Sequence, residues 1–330
     1  MAISAYEARY GNYRRTAVVS IFKWDTNGTP LPLKVPLTPK FFPTSSSGFG
    51  CSANRRLDER TGLDKNCTMS RLDEIVAHKK TEIEPWLAHT DAWRDRVLSH
   101  RPNYRGFEHQ LLARGFGIVA EIKRASPSAG LIADNFDPLK MAEQYDAANA
   151  DCISVLTDER FFQGHLDYLA LVRKHVRQPL LRKDFTLHEV QVYQAALAGA
   201  DAVLLIVAAL DDPTLVHLLN VSREIGIDSL VEVHQPYELE RALKAGATFL
   251  GINNRDLTTF KLDLRTTEDL APLIPDQCTV ISESGIGTKE DVECVAAAGV
   301  DGVLIGEALM RSPEPGRLLE ELRSAATAAR

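Results

Sequence analysis

The chain has 330 residues, 45% of them hydrophobic and 25% charged, which is typical of a globular protein with a large core. Its formal net charge of −7 argues against general nucleic-acid binding, because a domain that binds nucleic acid is usually basic. No apolar run approaches the roughly 20 residues that cross a bilayer. The five widely spaced cysteines predict free thiols in a reducing compartment rather than a disulfide framework or a zinc site.

Residues 1 to 68 differ in composition from the rest of the chain. They are rich in proline, carry more Lys and Arg than Asp and Glu, and contain one strand-like run at 16 to 22. We expect no independent core from such a segment. Three interpretations stay open: an organelle transit peptide, a disordered arm, or translated sequence upstream of the true start. The last is favoured, because Met69 is followed directly by a helical pattern.

Residues 69 to 115 predict a helical annex to the domain that follows. Ser70 is the expected N-cap of its first helix, with carboxylates in the first turn where the helix dipole favours them. Further helices are predicted at about 89 to 100 and 106 to 114. We expect Trp86 and Trp93 to pack the annex against the main domain.

From residue 116 onward, short apolar runs alternate with amphipathic segments. The predicted strands lie at 117–122, 152–156, 180–182, 202–207, 230–233, 249–252, 279–282 and 302–305. Eight strands in strict alternation with helices predict a (β/α)8 barrel, with a doubly wound open sheet as the alternative. We therefore expect one α/β domain over 69–330, in which the helix after the sixth strand has the weakest pattern.

Polar side chains follow most of these strands, and in a (β/α)8 barrel the strand ends carry the functional site. The residues in question are Glu121 and Lys123, Lys183 and Asp184, Glu232 and His234, Asn253 to Asp256, and Glu283 and Ser284. Two lysines and three glutamates that converge in a partly dehydrated cavity would shift one another's pKa values, as acid–base chemistry requires. A lysine could instead form a Schiff base.

Two glycine-bearing loops follow the last two strands, at 284–287 and 306–308. In such barrels this position binds phosphate through backbone N–H groups and a helix N-terminus. No nucleotide-binding fingerprint and no metal-ligand cluster is present in the sequence. The histidines at 165, 188, 217 and 234 are interpreted as surface groups or as supports behind the site.

Five motifs together resemble the indole-3-glycerol phosphate synthase family of tryptophan biosynthesis. They are Glu121-Ile122-Lys123-Arg124-Ala125-Ser126, Leu181-Arg182-Lys183-Asp184-Phe185, Leu230-Val231-Glu232-Val233, Gly251-Ile252-Asn253-Asn254-Arg255-Asp256 and Ser282-Glu283-Ser284-Gly285-Ile286. The resemblance runs from Met69 to the C-terminus. It implies a barrel with an N-terminal helical extension and no metal or organic cofactor. The implied carboxy-lyase closes the pyrrole ring of 1-(2-carboxyphenylamino)-1-deoxyribulose 5-phosphate, with loss of carbon dioxide and water.

The resemblance also implies roles for individual residues. Lys183 would be the general acid of ring closure, and Lys123 would hold the benzoate carboxylate and assist the departing hydroxyl. The base of the dehydration step is left open between Glu121 and Glu232. The remaining residues would bind the substrate: Asn253, Glu283 and Ser284 at the sugar hydroxyls, Ser126, Arg255, Gly285, Gly306 and the N–H of Glu307 at the anionic groups, and Leu156, Phe162, Phe185 and Leu204 as the apolar wall.

Two positions depart from the expected pattern. His165 stands where a small hydroxyl residue is expected, and Glu307 places a carboxylate beside the phosphate loop, so we expect it to act only through its backbone. The alternatives in function are a barrel like phosphoribosylanthranilate isomerase and a non-catalytic barrel that binds a phosphorylated ligand. We expect a small phosphorylated substrate, no nucleic-acid or membrane partner, and a chain compatible with a monomer. The expected location is the cytoplasm, or an organelle only if residues 1–68 are a transit peptide.

Overall fold

The computed structural model describes the strand residues Ile21–Trp24 and Pro30–Leu33, and residues 70–329 except 134, 258 and 260. The chain divides into two units, Met1–Asn66 and Cys67–Arg330. In the first unit the two short strands pair in antiparallel fashion. The prediction of a leader or arm over 1–68 otherwise lies outside the described residues.

The second unit is built on eight parallel strands, counted over its described residues. They are β1 (Gly117–Ile122), β2 (Cys152–Leu156), β3 (Leu180–Lys183), β4 (Ala202–Ile206), β5 (Asp228–Val233), β6 (Phe249–Asn253), β7 (Thr279–Glu283) and β8 (Gly302–Ile305). Each strand pairs with the next, and β8 pairs with β1, with Val303 opposite Ile118. Because the sheet closes on itself, the predicted barrel is confirmed and the open-sheet alternative is excluded.

Helices surround the barrel and form the annex. The annex contains α1 (Arg71–Leu87), α2 (Thr90–His100) and α3 (Phe107–Leu112). The barrel helices are α4 (Pro138–Ala147), α5 (Glu159–Phe162), α6 (Leu166–Arg173), α7 (Glu189–Ala198), α8 (Asp212–Ile225), α9 (Pro236–Lys244), α10 (Arg265–Leu270), α11 (Lys289–Ala297), α12 (Glu307–Arg311) and α13 (Pro315–Ala329). None of the described helices is long and apolar enough to cross a membrane.

The annex reaches both ends of the barrel. At the bottom, the buried Phe107 of α3 packs against Phe249 at the start of β6, with ring centroids 6.1 Å apart. At the top, α1 places Leu72 and Ile75 beside the ends of the strands. Ser70 caps α1 as predicted, since its Oγ accepts a hydrogen bond from the N–H of Asp73.

The prediction that Trp86 packs the annex against the barrel is wrong. Its side chain is 44% exposed and meets Trp93 edge to face, with ring centroids 6.0 Å apart. The contact joins the end of α1 to the start of α2. An edge-to-face pair of this kind is a favourable aromatic geometry and stabilises the turn between the two helices.

Candidate active site

A single cavity of about 390 Å³ opens at the C-terminal ends of the strands. Every catalytic and substrate-binding residue predicted from the sequence lines it. Helix α1 of the annex contributes Arg71, Leu72 and Ile75 to the same lining. The residues predicted from the sequence therefore meet in one cavity, while their individual roles stay predictions.

Lys183, the last residue of β3, forms two ion pairs in the cavity. Its Nζ lies 3.1 Å from Oε2 of Glu232 on β5 and 2.7 Å from Oε2 of Glu283 on β7. Burial alone would lower the pKa of Lys183, but the two carboxylates more than offset it and raise the pKa above its ordinary value. Lys183 is therefore a cation, held by carboxylates on β5 and β7.

The two glutamates that hold Lys183 differ from each other. Burial would raise the pKa of Glu232, but the adjacent cations Lys183 and His234 outweigh it and lower the pKa well below its ordinary range. Burial raises the pKa of Glu283 to about 7. Gly251 gives Glu283 its space, since a Cβ there would lie 2.1 Å from Glu283 Oε1.

Glu121 and Lys123 project into the cavity together from the end of β1. Lys123 Nζ donates to Glu121 Oε1 at 2.6 Å. The sequence predicted Gly306 as part of a phosphate loop, and the structure adds a second reason for glycine at this position. A Cβ at Gly306 would lie 2.4 Å from Glu121 Oε1 and 3.0 Å from Lys123 Nζ, so a larger residue would displace the pair.

The loop after β7 is supported by Asn254, for which the sequence predicted a place at the end of β6 but no role. The Nδ2 of this buried side chain donates to the carbonyl oxygens of Glu283 and Ser284, both at 3.0 Å, and its Oδ1 accepts from Thr267 Oγ1 at 2.8 Å. Ser284 and Gly285 both have positive φ, 68° and 78°. Because a positive φ is strained for serine, the bonds from Asn254 help to hold this turn in place.

The apolar side of the cavity faces the annex. Phe162 of α5 and Phe185 after β3 pack with ring centroids 6.1 Å apart. Leu156 and Leu204 continue the surface, and Leu72 and Ile75 of α1 face the same space. This wall is suited to a flat aromatic ring bound between the barrel and the annex.

His234 lies directly behind Glu232, and its side chain is 7% exposed. Its Nε2 is 3.4 Å from Glu232 Oε1, and its Nδ1 is 3.1 Å from Glu238 Oε2. Burial lowers the pKa of His234, but the two carboxylates outweigh this and raise it to about 10. The histidines were interpreted as surface groups or as supports behind the site, and the position of His234 fits the second interpretation. The signal in the sequence is strand alternation, since two residues that are two positions apart, such as Glu232 and His234, project to the same face.

The His234 ion pairs predict a pH dependence of stability. The proton is held in the folded state up to about pH 10 and released in the unfolded state near its ordinary pKa of 6.5. The stabilisation is therefore complete below pH 6.5 and is lost as the pH rises toward 10. We expect the free energy of unfolding to fall by up to about 1.4 kcal/mol per pH unit in that window.

Urea denaturation between pH 6 and 9.5 measures this slope. His234→Asn should reduce it, while His217→Asn, at an exposed position, should leave it unchanged. Equal slopes in the parent and His234→Asn would show that His234 does not carry the effect.

Comparison with known proteins decides the family. A family model described as indole-3-glycerol phosphate synthase matches residues 72–322. Proteins named indole-3-glycerol phosphate synthase are similar to this chain: that of Thermoanaerobacter pseudethanolicus is 46% identical over 241 residues, covering 73% of this chain and 92% of the relative. That of Caldanaerobacter subterraneus is 47% identical over 256 residues, covering 76% and 96%. The chain belongs to the indole-3-glycerol phosphate synthase family.

The predicted reaction class is confirmed with the family: a decarboxylating, ring-closing lyase of tryptophan biosynthesis that acts on a small phosphorylated substrate. The isomerase alternative is set aside. Among solved structures, 3-hexulose-6-phosphate synthase from Salmonella typhimurium superposes with a TM-score of 0.52 at 14% identity, covering 65% of this chain and 100% of that one. At this identity the likeness concerns the barrel alone.

Both positions that depart from the expected pattern have local explanations. His165 caps α6, since its Nδ1 accepts a hydrogen bond from the N–H of Asp167 at the start of that helix. Glu307 begins α12, and its carboxylate accepts a hydrogen bond from Arg311 Nε at 2.9 Å, one turn along the helix. In the described part of the chain, no group of His, Cys, Asp and Glu could hold a metal ion.

Proposed function

We propose that this cavity converts 1-(2-carboxyphenylamino)-1-deoxyribulose 5-phosphate to indole-3-glycerol phosphate, with Lys183 as the general acid of ring closure. The observation that carries the proposal is the position of Lys183 Nζ, held between Glu232 and Glu283 in a cavity with an apolar wall on one side and glycine loops on another.

The two ends of the substrate differ in chemistry, and so do the two sides of the cavity. The aromatic ring binds the wall of Leu156, Phe162, Phe185 and Leu204, with its carboxylate on Lys123. The phosphate binds at Ser126, Gly285, Gly306 and the N–H of Glu307, and Arg255 adds positive charge. Backbone donors at glycine turns and a helix start suit an anion, because their N–H groups need an acceptor.

Ring closure begins when the ring carbon that bears the carboxylate attacks the sugar carbonyl. Negative charge then develops on the carbonyl oxygen, and the ammonium of Lys183 donates a proton to it. Loss of carbon dioxide restores the aromatic ring. Asn253, Glu283 and Ser284 hold the sugar hydroxyls, which keeps the carbonyl oxygen within reach of Lys183.

The last step removes the new hydroxyl as water and needs both an acid and a base. We assign Lys123 as the acid and Glu121, rather than Glu232, as the base. Both oxygens of Glu232 face cations, Oε2 facing Lys183 and Oε1 facing His234, so neither oxygen is directed at the substrate alone. Within the described part of the chain, Glu121 forms one ion pair, between its Oε1 and Lys123. Lys123 is the proposed acid of the same step.

We further propose that the chain is a monomer and acts in the cytoplasm. The three cysteines that the structure describes, Cys152, Cys278 and Cys294, form no disulfide, which fits a reducing compartment. The curated relatives named above are from bacteria. Size-exclusion chromatography with light scattering tests the first proposal, and fractionation of the native host tests the second.

Indole fluorescence tests the proposed reaction. Purified full-length protein mixed with 1-(2-carboxyphenylamino)-1-deoxyribulose 5-phosphate should develop the emission of an indole, with one carbon dioxide released per indole formed. The assay is run in buffer without added metal and again after treatment with a chelator, and the two rates should agree. A folded sample that forms no indole would refute the proposed reaction.

A further inference from the structure

Lys79 is a buried cation that the sequence gives no reason to single out. It lies on α1 of the annex and is 0% exposed. Its Nζ lies 2.9 Å from Asp158 Oδ2, 2.9 Å from Asp184 Oδ1 and 2.9 Å from Glu82 Oε1. Burial lowers its pKa, and the three carboxylates outweigh burial and raise it, so Lys79 stays charged. A charge buried this completely needs partners of this kind.

The first of the buried partners, Asp184, is the residue next to Lys183. Its Oδ1 accepts the N–H of Phe185 at 2.8 Å in addition to the contact with Lys79. Its Oδ2 accepts Thr157 Oγ1 at 2.6 Å and Arg182 Nη2 at 2.9 Å. With both oxygens occupied, Asp184 cannot rotate freely. Three of these four contacts come from the barrel, and the fourth, from Lys79, joins the residue that follows Lys183 to the annex.

The second buried partner, Asp158, holds a different part of the same cavity. Its Oδ1 caps α5 by accepting the N–H of Phe161 at 2.8 Å, and its Oδ2 faces Lys79. Helix α5 carries Phe162, which forms the apolar wall with Phe185. One side chain on α1 therefore binds the segment after β2 and the segment after β3 at once.

The same face of α1 also lines the cavity. Leu72, Ile75 and Lys79 are spaced by three and four residues, which places them on one side of a helix. Leu72 and Ile75 meet the cavity, and Lys79 meets the strand ends. The annex is thus joined to the two segments that present the proposed acid and the ring wall.

From this arrangement we infer that Lys79 is a positioning residue for the reaction: it sets the place of Lys183 through Asp184 and the place of Phe162 through Asp158. Lys79 touches no substrate. The inference rests on the proposed role of Lys183. Its consequence is that the annex contributes to the rate of ring closure and not only to covering the site.

The test uses a charge-balanced variant of the full-length chain. The buried cluster holds two cations, Lys79 and Arg182, and two carboxylates, Asp158 and Asp184. Lys79→Met alone leaves an unpaired carboxylate, which destabilises the fold. Lys79→Met combined with Asp158→Asn leaves one charge of each sign, and the asparagine oxygen can still cap α5. Lys80→Met is the matched control, since Lys80 is the exposed neighbour.

We expect the double variant, assayed well below its melting temperature, to lose about ten- to hundredfold in kcat, because a small misplacement of a reacting group has an effect of this size. Product affinity, measured by indole fluorescence, should stay within about threefold of the parent, since the anion and ring contacts remain. The Lys80→Met control should match the parent in both. Lys79→Met alone should show the same division between kcat and affinity in its folded fraction.

Two results would overturn the inference. An unchanged kcat in the folded double variant would show that Lys79 only holds the annex in place. A loss of product affinity as large as the loss of kcat would show that the substitutions had changed the whole cavity. The parent's own indole formation tests the proposed reaction separately. Lys183→Met in the same series tests the acid role whatever Lys79 does.

Discussion

Lys183→Met is expected to lower kcat at least about a thousandfold, because it removes the proton donor at the developing oxyanion. The ammonium is the only group in the proposed mechanism that meets the carbonyl oxygen during ring closure. Product lacks that charge, so its affinity should stay within about tenfold of the parent. Stopped-flow indole fluorescence gives kcat, and equilibrium titration with product gives the affinity.

Lys183→Arg separates proton donation from charge alone. An arginine keeps the positive charge beside Glu232 and Glu283 but does not give up a proton at any ordinary pH. If Lys183 acts as an acid, the arginine variant should be nearly as slow as the methionine variant while it melts closer to the parent. A rate within about tenfold of the parent in Lys183→Arg would leave electrostatic stabilisation as the role and remove the acid.

Glu121→Gln and Glu232→Gln are expected to slow the reaction at different steps. Glutamine keeps the shape of the side chain and removes the charge. We expect Glu121→Gln to slow dehydration by about a hundredfold or more, because it removes the proposed base after carbon dioxide has left. Glu232→Gln loses a counter-ion of Lys183 and should slow ring closure itself.

Single-turnover experiments that follow carbon dioxide and indole together distinguish the two. In Glu121→Gln, carbon dioxide should appear well before indole. In Glu232→Gln, both should appear slowly and at the same rate. The reverse pattern would assign the base to Glu232, and simultaneous appearance in both variants would mean that neither carboxylate acts only in dehydration.

Much of the fold follows from local pattern, and the exceptions have physical reasons. The strands lie within a few residues of their predicted positions, and the amphipathic segments between them form helices, because burial on both faces and one-sided apolar periodicity are properties of neighbouring residues. The short helices α5 and α12 were not predicted, since four or five residues are too few to show a helical period. Trp86 was misplaced because its partner, Trp93, lies in the next helix of the annex rather than in the barrel.

The candidate site, like the fold, could be predicted only in part. Strand ends in a barrel converge whatever the loops do, so Glu121, Lys183 and Glu232 could be predicted to meet before any distance was known. In the structure these three residues line a single cavity. Which oxygen faces which cation could not be predicted. The difference between Glu232 and Glu283 depends on His234 and on the space left by Gly251, which are set by packing across the barrel.

By itself, the sequence determined the eightfold alternation, the convergence of charged residues at the strand ends, and the motifs that identify the family. These are carried by residues close together in the chain, where backbone geometry fixes which side chains share a face. Only the tertiary structure decided that Lys79 is a buried cation and that Asn254 holds the turn after β7. A lysine on a helix is usually a solvated side chain, and only the closed barrel beneath α1 brings the carboxylates of two different loops to its ammonium.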